Sequence, residues 1–255
     1  MTSTEFKALH YASTPLVIGN VWDCMSAKAA EAQGFSALGT SSAAIASMLG
    51  YEDGEEMPFD QLFYLVQRIL SVSTIPVSVD IESGYSDSAL TVAAHISRLA
   101  DLGVVGINLE DSHVRPSRHL KDKDEFARFL ERIKESLLKS GTNIFVNVRT
   151  DGYLLGIDNA SLNTQVRAKL YESAGADGLF VPCLTDLNDM KDIANCTNLP
   201  LNVMAMPGLP AVEALSQAGV KRISSGNFLQ SKAQAEMESW FGHILNQGSF
   251  RTLFC

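Results

Sequence analysis

Eight times along this chain a short apolar or β-branched run gives way to a turn and then to an amphipathic stretch of roughly 10–18 residues. The runs are Leu16–Val21, Ala37–Ser41, Pro76–Glu82, Val105–Glu110, Asn143–Thr150, Gly178–Cys183, Pro200–Met206 and Arg222–Ser225. Strands that alternate with helices pair in parallel, each joined to the next by a helical crossover. Eight such units suit a (β/α)8 TIM-type barrel, which uses about 250 residues as one domain. The chain has 255 residues, so one barrel domain over 1–255 is expected. An open doubly wound sheet is the alternative. It would carry a glycine-rich phosphate loop after its first strand, where this chain has Asn20-Val21-Trp22-Asp23.

The helical stretches support the alternation. Residues 58–72 set Leu62, Leu65, Val66 and Ile69 on one face, and residues 88–102 do so less cleanly with Leu90, Ala94, Ile96, Leu99 and Leu102. Gly34, Gly103, Gly175 and Gly219 follow helical stretches, where glycine permits the left-handed residue that ends a helix. Lys232–Leu245 reads as the last helix, and Asp23 as the cap of the first.

Hydrophobic residues are 46 % of the chain, which is enough for a large core, and the net charge is -9. An acidic chain without basic runs is a poor partner for nucleic acid or anionic membrane. No apolar run approaches the roughly 20 residues of a spanning helix, and Met1–His10 lacks the features of a signal peptide. Cys24, Cys183, Cys196 and Cys255 form no CxxC pair, so reduced thiols in the cytoplasm are expected. Cys183 reads as a buried small hydrophobe.

A barrel carries its chemistry at the C-terminal ends of its strands. Those ends are acidic here: Asp80 and Glu82, then Glu110 and Asp111, then Asp151 beside Arg149. Residues two apart on a strand share a face, so Asp80 goes with Glu82, and Arg149 with Asp151. Strand-end acids also cap helices, and so do serines such as Ser41 and Ser42; the repetition on consecutive strands is what points to a site. Carboxylates that converge repel unless a cation sits among them, and all-oxygen ligands suit Mg2+, with Mn2+ the substitute. Arg149 offers a bidentate fork for a substrate carboxylate. Asn202 and Asp151 read as residues that orient the others. The loop His113, Arg115, Arg118, His119 reads either as a solvated basic loop or as a gate that closes over an anion.

These segments together resemble the isocitrate lyase/phosphoenolpyruvate mutase superfamily. The match rests on Asn20-Val21-Trp22-Asp23, Gly39-Thr40-Ser41-Ser42-Ala43, Leu49-Gly50-Tyr51-Glu52-Asp53-Gly54, Val79-Asp80-Ile81-Glu82-Ser83-Gly84-Tyr85, Asn108-Leu109-Glu110-Asp111 and Asn147-Val148-Arg149-Thr150-Asp151. It continues with Tyr171, Pro200-Leu201-Asn202 and Arg222-Ile223-Ser224-Ser225-Gly226, and covers nearly the whole chain.

The resemblance implies a Mg2+ enzyme acting on a small 2-oxo or 2-hydroxy acid through a stabilised enolate. It implies Asp80 as the direct metal ligand, with Asp53, Glu82 and Glu110 holding the ion mainly through water. Ser41, Ser42, Ala43, Arg149 and Asn202 are the implied substrate-binding residues, and Arg149, Asp53 and Glu110 the catalytic ones. It further implies a homodimer or homotetramer with a swapped C-terminal helix.

Two departures narrow the reaction. The isocitrate-type lyases carry a Cys in the loop after the strand-4 acids, where this chain reads Ser112–Leu120 without one. Phosphonate-cleaving members carry a His where this chain has Pro182. C–C cleavage of the oxaloacetate decarboxylase or 2-alkylmalate lyase kind is therefore expected. P–C chemistry on a phosphonopyruvate-like acid and a non-catalytic dicarboxylate-binding protein are the alternatives.

Overall fold

The structure is a computed structural model, and it describes residues 2–254. Cys255 lies outside the described residues. The strands are β1 (Leu16–Val17), β2 (Gly19–Val21), β3 (Leu38–Thr40), β4 (Val77–Asp80), β5 (Gly106–Glu110), β6 (Ser112–His113), β7 (His119–Leu120), β8 (Phe145–Arg149), β9 (Gly178–Val181), β10 (Leu201–Met204) and β11 (Val220–Ser224). The helices are α1 (Ser3–Leu9), α2 (Cys24–Ala32), α3 (Ser42–Leu49), α4 (Phe59–Leu70), α5 (Ala89–Asp101), α6 (Lys123–Lys139), α7 (Ala160–Ser173), α8 (Leu187–Cys196), α9 (Val212–Gln217) and α10 (Phe228–Gln247).

All strands but the β6–β7 hairpin lie in one parallel sheet, in the order β1-β11-β10-β9-β8-β5-β4-β3-β2. Its two ends, β1 and β2, are halves of one run broken at Ile18. The Ile18 N–H bonds the Ile223 carbonyl at 2.9 Å, and the next residue, Gly19, bonds the Ala37 carbonyl at 3.0 Å. The chain thus switches strand partner within one residue and closes the sheet into a barrel. The open-sheet alternative fails on the β1–β11 pairing. All eight apolar runs of the sequence hold a strand of this barrel.

The helices pack their apolar stripes on the outside of the barrel. In α4 the buried residues are Phe59, Leu62, Val66 and Ile69, while Leu65 is only partly covered. In α5 the buried stripe is Val92, Ala93, Ile96 and Leu99, which corrects the sequence reading. Leu90, in the first turn, faces solvent and is 71 % exposed. Gly34, Gly103, Gly175 and Gly219 all have positive φ, as helix-ending glycines should. Asp23 caps α2, accepting from Ser26 N at 2.7 Å, and Trp22 packs against the core.

One plug was not anticipated. The polar N-terminal stretch forms α1, capped by Thr2, and its single buried residue, Phe6, seals the N-terminal end of the barrel. Phe6 meets Phe145 edge-on at 5.6 Å, and His10 stacks on the same ring at 4.4 Å. Burial drives the His10 pKa down to about 3, so this ring is neutral packing.

Gly84 links the β4 turn to α5. Its φ is +109°, and a Cβ there would stand 2.6 Å from Val92 Cγ2, inside the core. Gly84→Ala is expected to cost on the order of 2–4 kcal/mol, from strain plus overpacking. Urea denaturation checks this, and a loss below about 0.5 kcal/mol would show that the turn relaxes freely.

Candidate active site at the barrel mouth

The C-terminal end of the barrel holds a cavity of about 210 Å3. At about 30 Å3 per water this is the space of roughly seven waters, so it suits a small acid rather than a nucleotide. Its wall begins where β3 passes into α3. Ser41 caps α3, its Oγ accepting from Ala44 N at 3.3 Å. The N–H groups of Ser42 and Ala43 are the first of the helix and have no acceptor within it, so they form a small anion-binding terminus beside the cavity.

Asp80 ends β4 on the same wall. It is 8 % exposed, its backbone N–H donates to Thr40 Oγ1 at 2.9 Å, and its Oδ2 accepts from Ser42 Oγ at 3.1 Å. Glu82 comes next to Asp80 by a different route from the one the alternation suggests. Its φ is +50°, so the chain has left the strand, and its N–H donates to Asp80 Oδ1 at 3.2 Å. Its own carboxylate turns away from the cavity and accepts from Glu55 N at 2.9 Å. Glu55 in turn accepts from Ser83 Oγ and Tyr85 N, which pins the segment carrying Asp53 to the β4 turn.

Glu110 stands opposite Arg149 in the β5–β8 register. Arg149 Nη1 lies 3.1 Å from Glu110 Oε2, and its Nε lies 2.6 Å from Asp151 Oδ1, as the shared face requires. Glu110 is buried behind the guanidiniums and does not line the cavity. Asn202 lies below the cavity, 1 % exposed, with its amide committed to Asn147, the Val203 carbonyl and the Arg222 carbonyl. Ser41, Ser42, Ala43, Asp53, Asp80 and Arg149 are the expected residues that reach the cavity together.

The loop between β5 and α6 is the β6–β7 hairpin. His113 and His119 stack across it at 4.8 Å, and Arg115 Nε donates to the Gly54 carbonyl at 2.7 Å. The hairpin is therefore docked on the Asp53 segment rather than solvated. Arg118 reaches inward from it, pairs with Glu110, and lies 3.0 Å from Asp151 Oδ2 and 3.4 Å from Asp53 Oδ2.

Three carboxylates, Asp53, Glu110 and Asp151, thus share the Arg118 and Arg149 guanidiniums, and Asp80 and Glu82 stand close by without an ion pair. The excess shows in their protonation. Burial, then the neighbouring acids, pushes Glu82 up to about 9. Burial pushes Glu110 up to about 7 against the pull of Arg149 and Arg118. Asp80 is raised by burial as well. Among the described residues no three His, Cys, Asp or Glu side chains converge closely enough to hold an ion between them. The set still fits a hard cation held by one protein carboxylate and otherwise by water. Asp80 is the buried acid that lines the cavity, the donors are all oxygen, and the acids outnumber the cations.

Behind the site lies a network that the sequence reading did not assemble. Asp111 Oδ2 accepts from Tyr171 OH at 2.6 Å and from Arg167 Nη1 at 3.0 Å, while Arg167 Nη2 donates to the Lys121 carbonyl. This network ties the end of the hairpin to α7. Cys183 is partly exposed rather than buried. Its φ is +63°, and burial raises its thiol pKa, which disfavours a thiolate nucleophile. Cys24 and Cys196 are unpaired as well. Among the described residues no helix is long and apolar enough to cross a membrane.

The chain matches the phosphoenolpyruvate phosphomutase family over residues 6–245, and it belongs to that family. It is 35% identical over 223 residues to an uncharacterized protein of Mycobacterium tuberculosis, covering 88% of this chain and 82% of that one. It is 29% identical over 195 residues to an oxaloacetate decarboxylase of Bradyrhizobium sp., covering 74% of this chain and 66% of that one. A provisionally named phosphonomutase of Burkholderia cenocepacia J2315 has the same fold, with a TM-score of 0.87 at 35% identity over 93% of this chain and 98% of that one. The similar proteins that carry a function in their names include lyases, decarboxylases, mutases and hydrolases, all enzymes.

Removing Arg167 leaves Asp111 buried and half-satisfied. Arg167→Met is expected to destabilise the protein by about 3–5 kcal/mol, the usual cost of orphaning a buried ion-pair partner. Chemical denaturation measures it, and a loss under about 1 kcal/mol would mean that water replaces the guanidinium.

Proposed function

We propose that the protein is a Mg2+-dependent carbon–carbon lyase that acts on a small 2-oxo or 2-hydroxy dicarboxylate, with oxaloacetate decarboxylation the simplest reaction open to it. The observation that carries this reading is the facing of the α3 terminus, the Asp80 carboxylate and the Arg149 guanidinium across one small cavity. Asp80 would hold the ion directly and Asp53, also on the cavity wall, one of its waters, while Glu82 and Glu110, expected to hold waters as well, are turned away from the cavity. When bound, the ion would act as a Lewis acid towards a substrate oxygen.

The protein's own groups do the rest. The Ser42 and Ala43 N–H groups receive a substrate carboxylate, and the Ser41 side chain keeps that helix end in shape. Arg149 is held rigidly by Glu110 and Asp151 and presents positive charge where an enolate oxygen develops. Glu110 acts through that guanidinium as a positioning residue. Asp53, half exposed at the rim and within reach of Arg118, is placed to exchange a proton with the entering or leaving molecule. The docked hairpin keeps water from the enolate. Pro182 is buried on the cavity wall and has no proton to give, which disfavours the P–C alternative.

We also propose that a second copy of this chain covers α10. That helix has no buried residue, and Met237, Trp240, Phe241 and Leu245 along it are exposed. Light scattering on the pure protein should give a dimer or tetramer, with Trp240→Glu shifting it towards monomer. A monomer at micromolar concentration would remove this part of the reading.

The activity test is a screen of four- to six-carbon 2-oxo and 2-hydroxy acids with and without Mg2+. Turnover that falls at least 100-fold in Asp80→Ala and on chelation is expected, while phosphonopyruvate should give no new phosphate signal by phosphorus NMR. Because Arg118 brings positive charge to the cavity and pairs with Asp53, which would hold the ion's water, Arg118→Gln should tighten Mn2+ binding by about tenfold in calorimetry. Unchanged Mn2+ affinity would show that the guanidinium and the ion do not compete.

A further inference from the structure

One cation of the cavity has no ion-pair partner, and Asp80 is the one acid whose charge reaches it. Arg222 sits in the middle of β11, in register with Leu16 of β1 and Asn202 of β10. Its side chain runs through the barrel interior, so that a methyl group on Gly39 of β3 would stand 3.7 Å from Nη2. The residue is 2 % exposed, yet it lines the cavity. Its Nε and Nη1 atoms are sealed from solvent and have no hydrogen-bond partner, and among the described residues no carboxylate forms an ion pair with it. The other two guanidiniums of the cavity differ in kind: Arg149 holds two carboxylates and Arg118 three. A guanidinium with two sealed, unpartnered nitrogens and only the more distant Asp80 to balance it is costly for a core to keep, unless an anion comes to lie beside it.

We propose that Arg222 is an anion receptor on the cavity floor, taking the second carboxylate of the dicarboxylic acid whose first carboxylate docks at Ser42 and Ala43. This deepens the lyase reading and rests on it for the substrate class, but not for the binding itself. The α3 terminus and Arg222 lie on different parts of one cavity of about 210 Å3, so an acid of four to six carbons can engage both. An acid with one carboxylate would leave the guanidinium as it is in the free protein, so the site selects dianions by an interaction that only the second carboxylate gains.

The test uses a matched pair. Malate and 2-hydroxybutyrate differ only in that a methyl group replaces the distal carboxylate. Calorimetry on the full-length protein with Mg2+ should show malate binding at least tenfold tighter. Arg222→Met should bring the ratio to about one by weakening malate roughly 10- to 100-fold while leaving 2-hydroxybutyrate unchanged, and Arg222→Lys should keep part of the preference. A purely structural arginine would not move that ratio. If the methionine variant fails to fold, the lysine variant carries the test, and an unchanged ratio in it overturns the proposal. A wild-type ratio near one, no binding of either acid, or an unchanged ratio in Arg222→Met likewise overturns it. Turnover in the acid screen with a ratio indifferent to Arg222 would leave the lyase standing without the receptor. An Arg222-dependent ratio without turnover would leave the receptor standing without the lyase.

Discussion

The pairing of Glu110 with Arg149 across adjacent strands is the constraint on which the barrel mouth depends. It exists because β5 and β8 run in unbroken register from Gly106↔Phe145 to Glu110↔Arg149. A slip of one residue would turn Glu110 away from the mouth and bury an unpaired carboxylate, a cost of several kcal/mol. From that pair the order spreads outward. Arg149 fixes Asp151, Asp151 accepts from Ser112 Oγ at 2.8 Å, and Ser112 begins the hairpin that carries Arg118 back to Glu110. The loop is therefore closed by charges that originate in strand register.

Such an arrangement is not the most stable way to fill a barrel end. Branched apolar side chains usually occupy these layers, and well-packed ones stabilise at least as much as buried ion pairs. Here the interior layer below the mouth is Asn108, Asn147 and Asn202, joined by bonds of 2.9 and 3.1 Å. Their mutual bonds satisfy much of the hydrogen-bonding capacity that burial would otherwise strand. The mouth above is different: five acids gather near Arg118, Arg149 and Arg222, and burial above all, with the neighbouring acids, drives Glu82 and Glu110 towards protonation. A preformed surplus of negative charge is unfavourable in the free protein and favourable once a cation arrives, which is the signature of a site rather than of a core.

The sequence made the eight strands legible because hydrophobic period and glycine punctuation are local signals. It also showed the strand-end acids, since the parallel alternation tells where each strand stops. It was silent on what depends on long-range pairing. Arg167 looked like any charge on an amphipathic helix, although it completes Asp111 from 56 residues away. Arg222 disappeared into a run read as apolar, because a single charge on a short strand carries no periodic signal. Glu82 was expected to share the face of Asp80, but a left-handed turn at that residue, invisible to an alternation rule, sends its carboxylate to Glu55 instead. Leu90 was set on the buried face of α5 because its spacing from Ala94 suits the helical period, while the real stripe lies on Val92, Ala93, Ile96 and Leu99.

A net charge of -9 does not bar an anion from the barrel mouth, and the reason lies in distance. Charges spread over the surface act through water and are screened within about 8 Å at physiological salt. A ligand inside the cavity meets Arg118, Arg149, Arg222 and the α3 terminus at hydrogen-bonding range, where the effective dielectric constant is several-fold lower. Net surface charge is therefore a matter of solubility, while a few buried groups set the sign of the field inside the cavity. The unpaired Arg222 sharpens this separation. It lines the cavity without an ion-pair partner and feels only the more distant charge of Asp80, so an anion that enters the cavity can give it the close counter-charge it lacks.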